Sequence, residues 1–283
     1  MQLDNSTVYL NGTFLPLSEA KVSVMDRGFL FGDGVYEVIP VYGGQPLRLA
    51  EHLARLANSL AAIRMQPPLT AEDWSAIFAR LIQGGHDQSI YLQITRGAAP
   101  KRDHAIPPDI EPTVFAMCTP IAPLPTEGIR AVTVTDIRWL RCDIKAITLL
   151  ANVLLKQEAI DAGTTEAVLI RDGFAVEGAA SNLFALIDGT LVTPPKGREL
   201  LPGVTRDLVL ELALEHGVPA AERPIALTEL KTAREIWLTS STREIMPVIE
   251  LDGAPVGTGA PGALWERVQA YYRAYKETLR GDS

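Results

Sequence analysis

The stretch Asp136–Ala159, DIRWLRCDIKAITLLANVLLKQEA, sets a lysine at the head of an apolar segment. Lys145 stands among Ile144, Ala146 and Ile147, and from Leu149 to Ile160 apolar residues recur at helical spacing until Gly163 ends the run. Lysine is almost never fully buried unless something holds it. Two readings stay open on these residues alone. The stem could lie along apolar surface with its amine in water, or the amine could be kept near the core for chemistry. A lysine with its ordinary pKa of about 10.4 is neutral in roughly one molecule in a few thousand at pH 7, so a nucleophilic lysine needs desolvation or a partner.

Working outward, the strand-like run IRAVTVT precedes this segment, and EAVLIRDGFAVEG and NLFALIDGTLVTP follow it, each a pair of strands turning at Asp-Gly. Helices are expected over 205–216, 227–233 and 262–279, with strands near 235–240 and 245–250. Upstream, TVYLNGTFLPL reads as a hairpin around Asn11-Gly12 and YEVIPVYGGQPLRL as another around Gly43-Gly44. A helix is expected from Leu49 to Ile63, with Leu53, Leu56, Ala57 and Leu60 on one stripe, and Thr70 with Asp73 opens the next. SIYLQIT and EPTVFAMC read as strands. The proline-rich segment at 119–127 breaks the periodicity. The expected organisation is therefore an α+β domain over 1–118, a linker over 119–127 and a larger α+β domain over 128–283.

The chain has 283 residues, 47% apolar and 21% charged, which suits two cores better than one. A net charge of −8 argues against broad contact with nucleic acid or an anionic membrane, so a small molecule is the expected partner. Two cysteines without metal-ligand spacing, and no positively charged apolar leader at the start, make disulfide scaffolding and secretion unexpected; the cytoplasm is the expected compartment. No apolar run approaches a membrane span. No metal site is expected, and His52, His86 and His216 read as structural or surface residues. There is no Walker loop and no GxSxG elbow, and the two glycines of FGDGVYEV open a strand instead of a helix.

Five stretches, DRGFLFGDGVYEV at 26–38, EHLARL at 51–56, DIRWLRCDIK at 136–145, VEGAASNLF at 176–184 and LPGVTRD at 201–207, stand in an order and spacing that resemble the fold-type IV pyridoxal-phosphate transaminases. The resemblance spans almost the whole chain. It is nearest to the D-amino-acid transaminases, because it extends through DIRWLRCDIK and through RDH at 102–104.

What the resemblance implies is specific. The fold would be the two-domain α+β fold of type IV enzymes, with pyridoxal 5'-phosphate in the interdomain cleft. Lys145 would form the Schiff base and move the proton between Cα and the cofactor, one amine serving as anchor and acid/base. Glu177 matches the carboxylate that pairs with the pyridine nitrogen and keeps it protonated. Arg55 matches the phosphate arginine. Val204 and Thr205, after Gly203, would offer helix-start N–H groups to the phosphate, and Ser240 with Ser241 matches a second phosphate turn. Tyr36, Arg102 and His104 match a carboxylate trap that selects D substrates, although the loop is one residue longer than the shortest family form and Lys101 competes with Arg102 for the role.

The activity implied is reversible amino transfer between D-amino acids such as D-alanine, D-aspartate or D-glutamate and 2-oxo acids. Branched-chain L-amino-acid transamination, (R)-amine transamination, aminodeoxychorismate lysis and a silent cofactor-binding protein are the alternatives. A homodimer is implied too, in which the arginine-x-histidine loop of one subunit completes the other's site.

Overall fold

The computed structural model describes residues 5–125 and 127–281. Residues 1–4 and 282–283, at the outer ends of the expected domains, and Thr126 in the expected linker lie outside the described residues. The chain forms two compact units: one runs to Ile121 and takes in Ile144–Thr148 and the segment from Leu279, and the other comprises Ala122–Asp143 and Leu149–Thr278.

The first unit contains β1 (Thr7–Leu10), β2 (Thr13–Pro16), α1 (Arg27–Phe31), β3 (Gly34–Tyr42), β4 (Gln45–Pro46), α2 (Leu49–Ala62), α3 (Ala71–Leu81), β5 (Gln88–Thr95) and β6 (Thr113–Pro120). Its six strands lie in the order β2-β1-β6-β5-β3-β4. The hairpin turns at Asn11-Gly12 and Gly43-Gly44 have the positive φ values that such two-residue turns require. Alternation along β3 sends Val35, Ile39 and Val41 into a core shared with Leu56 and Leu60 of α2 and with Trp74 and Phe78 of α3. Thr70 and Asp73 close a capping box that starts α3. The short α1 was not foreseen. Asp26 caps it by accepting from the Gly28 N–H at 2.7 Å, and Gly32 ends it with φ 66°.

The second unit contains β7 (Ile129–Thr135), α4 (Leu150–Asp161), β8 (Glu166–Arg171), β9 (Phe174–Gly178), β10 (Asn182–Ile187), β11 (Thr190–Thr193), α5 (Val204–Glu215), β12 (Ala220–Glu222), β13 (Ile225–Ala226), α6 (Leu227–Leu230), β14 (Glu235–Ser240), β15 (Glu244–Leu251), β16 (Ala254–Pro255) and α7 (Ala263–Arg280). Nine strands follow the order β12-β11-β10-β14-β15-β7-β8-β9-β13, and β16 pairs with β15. β8 reads EAVLIR without polar alternation because both of its faces are covered: Ala167 and Leu169 pack with Leu155 and Ala159 of α4, and Val168 packs into the opposite core with Leu183 and Val248.

Two parts of the expected second domain group with the first unit instead, the end of the chain from Leu279 and the Lys145 segment. Lys145 was assigned to the second domain, yet its segment belongs to the first unit. β4 pairs only with Val41 and Tyr42, which leaves the start of β3 unpaired on that side. The Tyr36 N–H donates to the Lys145 carbonyl at 2.9 Å and the Ile147 N–H to the Gly34 carbonyl at 3.1 Å, with an antiparallel bridge between Val35 and Ala146. The backbone around Lys145 thus satisfies an otherwise bare strand edge.

Candidate active site

Within the first unit, Tyr36 projects from the face of β3 opposite the helices. Its ring lies 5.9 Å from that of Tyr91, and the Lys145 Nζ stands over it at 4.2 Å from the centroid. Burial, then Tyr36, pushes the Tyr91 phenol up to about 12. Lys145 is half-buried, and its own N–H donates to the Ser59 Oγ on α2 at 3.2 Å. The amine is neither sunk in the core nor loose on the surface. It sits at an aromatic face, with its backbone tied to β3 and α2.

Arg55 was expected on α2 as an anion ligand lying off the apolar stripe. It is 7% exposed. Its Nε and Nη2 donate to the two oxygens of Glu37 at 2.8 and 2.7 Å, a bidentate fork. The His52 Nδ1 meets the same carboxylate at 2.8 Å. Burial works to raise the Glu37 pKa, but Arg55 and His52 outweigh it and bring it down to about 2. Burial lowers the His52 pKa, so the ring is neutral, and a carboxylate that only accepts requires the proton on Nδ1. The reading of His52 as a structural residue fits this place. Glu37 went unnoticed, although alternation in GVYEVI sets it on the same buried face as Val35 and Ile39.

Arg102 and His104 both lie on Phe31 of α1: the guanidinium is 5.0 Å from the ring centroid and the imidazole 5.2 Å. The two side chains are exposed. Lys101 instead pairs with Asp103 at 2.9 Å and is 77% exposed, so the two cations of this loop are occupied differently.

In the second unit, Glu177 ends β9 and is 4% exposed. The Arg138 Nη1 donates to its Oε1, and the Asn182 Nδ2 and the Leu201 N–H donate to its Oε2 at 3.1 and 3.2 Å. Asp136 holds Arg138 through two bonds of 2.9 Å and accepts a third, 2.7 Å long, from Arg171. Burial raises the Glu177 pKa and Arg138 opposes it, leaving the carboxyl at about 7. Asp136 and Arg138 lie inside DIRWLRCDIK, but the sequence reading gave them no role, because their partner Glu177 stands 39 residues beyond Arg138.

Val204 and Thr205 are the first residues of α5, buried, with Gly203 before them and no side chain capping the helix. A Cβ on Gly203 would run into the Asn182 Oδ1, so the same asparagine that braces Glu177 requires glycine at this helix start. Ser240 closes β14 and Ser241 stands in the turn to β15.

A model of class IV amino-transferases matches residues 34–251. The chain belongs to the class IV aminotransferases. It is 41% identical over 267 residues to the D-alanine aminotransferase of Bacillus licheniformis, covering 93% of this chain and 94% of that one. To the D-alanine aminotransferase of Staphylococcus aureus strain COL it is 38% identical over 278 residues, 96% of this chain and 98% of the other. Among solved structures, the branched-chain aminotransferase of Thermoproteus uzoniensis superimposes with a TM-score of 0.88 at 28% identity, covering 96% and 95% of the two chains. The branched-chain amino acid aminotransferase of Escherichia coli does so with 0.85 at 27%, covering 95% and 94%. The class IV, fold-type IV architecture expected from the sequence is the one found.

The residues of this class IV aminotransferase fit a cofactor that combines a basic ring nitrogen, a phosphate and an aldehyde. Glu177 is a buried carboxyl with three donors and a pKa near 7, able to share a proton with a ring nitrogen. In the second unit the start of α5 presents N–H groups that no side chain caps, and in the first unit the Lys145 amine lies over the Tyr36 ring. Among the described residues, no group of three or more histidine, cysteine or acidic side chains is arranged to hold a metal ion, and no helix is long and apolar enough to cross a membrane.

Proposed function

We propose that the chain works as a D-amino-acid transaminase dependent on pyridoxal 5'-phosphate, moving an amino group between D-amino acids such as D-alanine and 2-oxo acids such as 2-oxoglutarate. The observation that carries this reading is near-full-length similarity to D-alanine aminotransferases at about 40% identity, against under 30% to the branched-chain enzymes. Bound pyridoxal phosphate supplies the carbonyl that takes up the amino group and the ring that delocalises the electrons left when the substrate Cα loses its proton.

The protein's part follows from its own residues. The Lys145 amine would hold the cofactor through its aldehyde and, when free, would take the proton from the substrate Cα and keep it for return. Tyr36 presents the aromatic face beside that amine. Glu177, kept in place by Arg138, Asn182 and Leu201, sets the charge at the ring nitrogen. Arg55, held by Glu37, the N–H groups of Val204 and Thr205, and the hydroxyls of Ser240 and Ser241 receive the phosphate. Arg102 and His104 bind the substrate carboxylate together with Tyr36, and Lys101 is engaged with Asp103.

The working form is a homodimer in the cytoplasm, each Arg102–His104 loop completing the partner's site. Exposed apolar residues support a covered face: Trp139, Leu140, Leu150, Val153 and Leu154 all stand open on the second unit. The deciding experiment is an assay of glutamate formed from 2-oxoglutarate with D-alanine, D-aspartate, L-leucine or L-valine as the amino donor. Turnover of D-alanine at least tenfold faster supports the reading; faster turnover of L-leucine than of every D-amino acid tested replaces it with branched-chain transamination.

A further inference from the structure

We propose that Arg27 is a positioning residue that fixes the Arg102–His104 loop by gripping its backbone, and so sets the affinity for the substrate carboxylate. The inference rests on the role given above to Arg102 and His104. Residues 96–112 form no regular strand or helix, and such a long irregular segment needs anchors if its side chains are to hold one direction. Its internal ties are short-range: Lys101 to Asp103, and the Ala105 N–H to the Asp103 carboxylate at 3.1 Å. The start of the segment is tied back by the Ala99 N–H to the Met25 carbonyl at 3.2 Å and by a bridge between Asp26 and Ala98, and around Arg102 and His104 the long-range hydrogen bonds to the backbone come from the Arg27 side chain.

Arg27 opens α1 and is 4% exposed, a costly place for a guanidinium unless its donors are all used. Its Nη1 donates to the Asp103 carbonyl at 2.6 Å and to the Ala105 carbonyl at 3.3 Å, and its Nη2 reaches the His104 carbonyl at 3.4 Å. One planar fork thus contacts three consecutive carbonyls and no loop side chain. The direction of His104, and of Arg102 just before the grip, follows from that backbone.

The grip is itself anchored. The Arg27 Nε donates to Asp33 at 2.8 Å, and Asp33 also takes a bidentate pair from Arg96 at 2.8 and 2.9 Å. Arg96 continues to the Ile63 carbonyl at 2.6 Å. Burial works to raise the Asp33 pKa, but the two arginines outweigh it and leave the carboxylate lowered and ionised. Phe31 completes the arrangement: Arg27 and Arg102 lie 4.9 and 5.0 Å from its ring centroid, so the clamp and the substrate-facing arginine share one aromatic platform.

Arg27→Lys keeps the charge and can retain Asp33, but a point-like ammonium cannot fork onto three carbonyls. In the holoenzyme this variant is expected to raise KM for D-alanine about tenfold or more, the loss of one to two hydrogen bonds, with kcat changed by less than about threefold. The visible cofactor spectrum should stay as in the wild type. Amide hydrogen exchange should quicken over residues 100–106 and stay unchanged in β3 and β5. A second variant, Phe31→Leu, removes the ring under both arginines while leaving the carbonyl bonds of Arg27 in place, and should raise KM in the same direction.

Arg102→Ala serves as the reference. If it raises KM while Arg27→Lys leaves both KM and loop exchange unchanged, the clamp is overturned and the loop's role stands. A fall in kcat with loss of cofactor colour in Arg27→Lys also overturns it, since that marks general damage. If Arg102→Ala leaves KM unchanged, the loop is not the carboxylate site and the clamp proposal falls with that reading.

Discussion

At Glu177, burial and Arg138 pull in opposite directions, and burial prevails far enough to leave the carboxyl near pH 7. A carboxyl raised above its ordinary 4.5 contributes stability that is fully present below 4.5 and is lost as pH rises through about 7. In the cofactor-free protein, Glu177→Gln should therefore remove a slope of up to about 1.4 kcal/mol per pH unit in that window. Thermal unfolding of both proteins between pH 4.5 and 7.5 checks it, and parallel curves would show that Glu177 does not titrate there. In the holoenzyme the amide cannot hold the charge at the ring nitrogen, and amino-acid turnover should fall about a hundredfold, the effect of losing about 2.7 kcal/mol of transition-state stabilisation. For Lys145, borohydride reduction should fix the cofactor to this residue. An adduct on Lys156, which instead reaches the Thr165 carbonyl and Glu166, would reassign the anchor. Lys145→Ala should lose at least about a thousandfold in turnover, because acid–base assistance alone contributes roughly 10²–10⁴.

Among the elements, β3 and α2 show how Arg55, the arginine proposed to bind the phosphate, is held in place. β3 alternates, so Tyr36 goes to one face and Glu37 to the other, and α2 brings His52 and Arg55, three residues apart, over Glu37 on the same side. Removing the anion from this buried group strands a guanidinium. Glu37→Gln is expected to cost about 3 kcal/mol of stability, the usual loss when one partner of a buried pair is taken away, measured by urea unfolding at pH 7. The sign with pH is opposite to that of Glu177. A carboxyl depressed from 4.5 to about 2 contributes stability present above 4.5 and lost as pH falls through 2, so the variant and the wild type should converge on acidification. A constant gap down to pH 2 would show that the loss is one of packing.

For the whole molecule, the shared-site proposal predicts complementation. Arg102→Ala and Lys145→Ala subunits, each strongly impaired as homodimers at low substrate concentration, should recover activity when mixed, because one site of each heterodimer keeps both residues. About a quarter of wild-type specific activity is the statistical expectation for random mixing. Verified heterodimers without activity would mean that each loop serves its own subunit. The exposed apolar residues around Trp139 and along α4 are the surface to watch in the same samples. Charge placed at Leu150 or Val153 should shift the proposed dimer toward monomer in analytical ultracentrifugation.

The local order of this chain was written in its residues. Asp-Gly and Asn-Gly turns, the Thr70–Asp73 capping box and the 3.6-residue spacing of α2 and α4 act over a few positions, so the hairpins and main helices could be read directly. The roles expected of Lys145, Glu177 and the RDH loop came from the resemblance to a known family, since the residues alone left both readings of Lys145 open. What remained illegible depended on partners far away in sequence. That Lys145 edges β3, that Glu37 holds Arg55, that Asp136 and Arg138 brace Glu177, and that Arg27 grips carbonyls 76 to 78 residues onward are all decided by tertiary structure. A buried charge must find its counterpart wherever the fold brings one within about 3 Å, and no local pattern records where that will be.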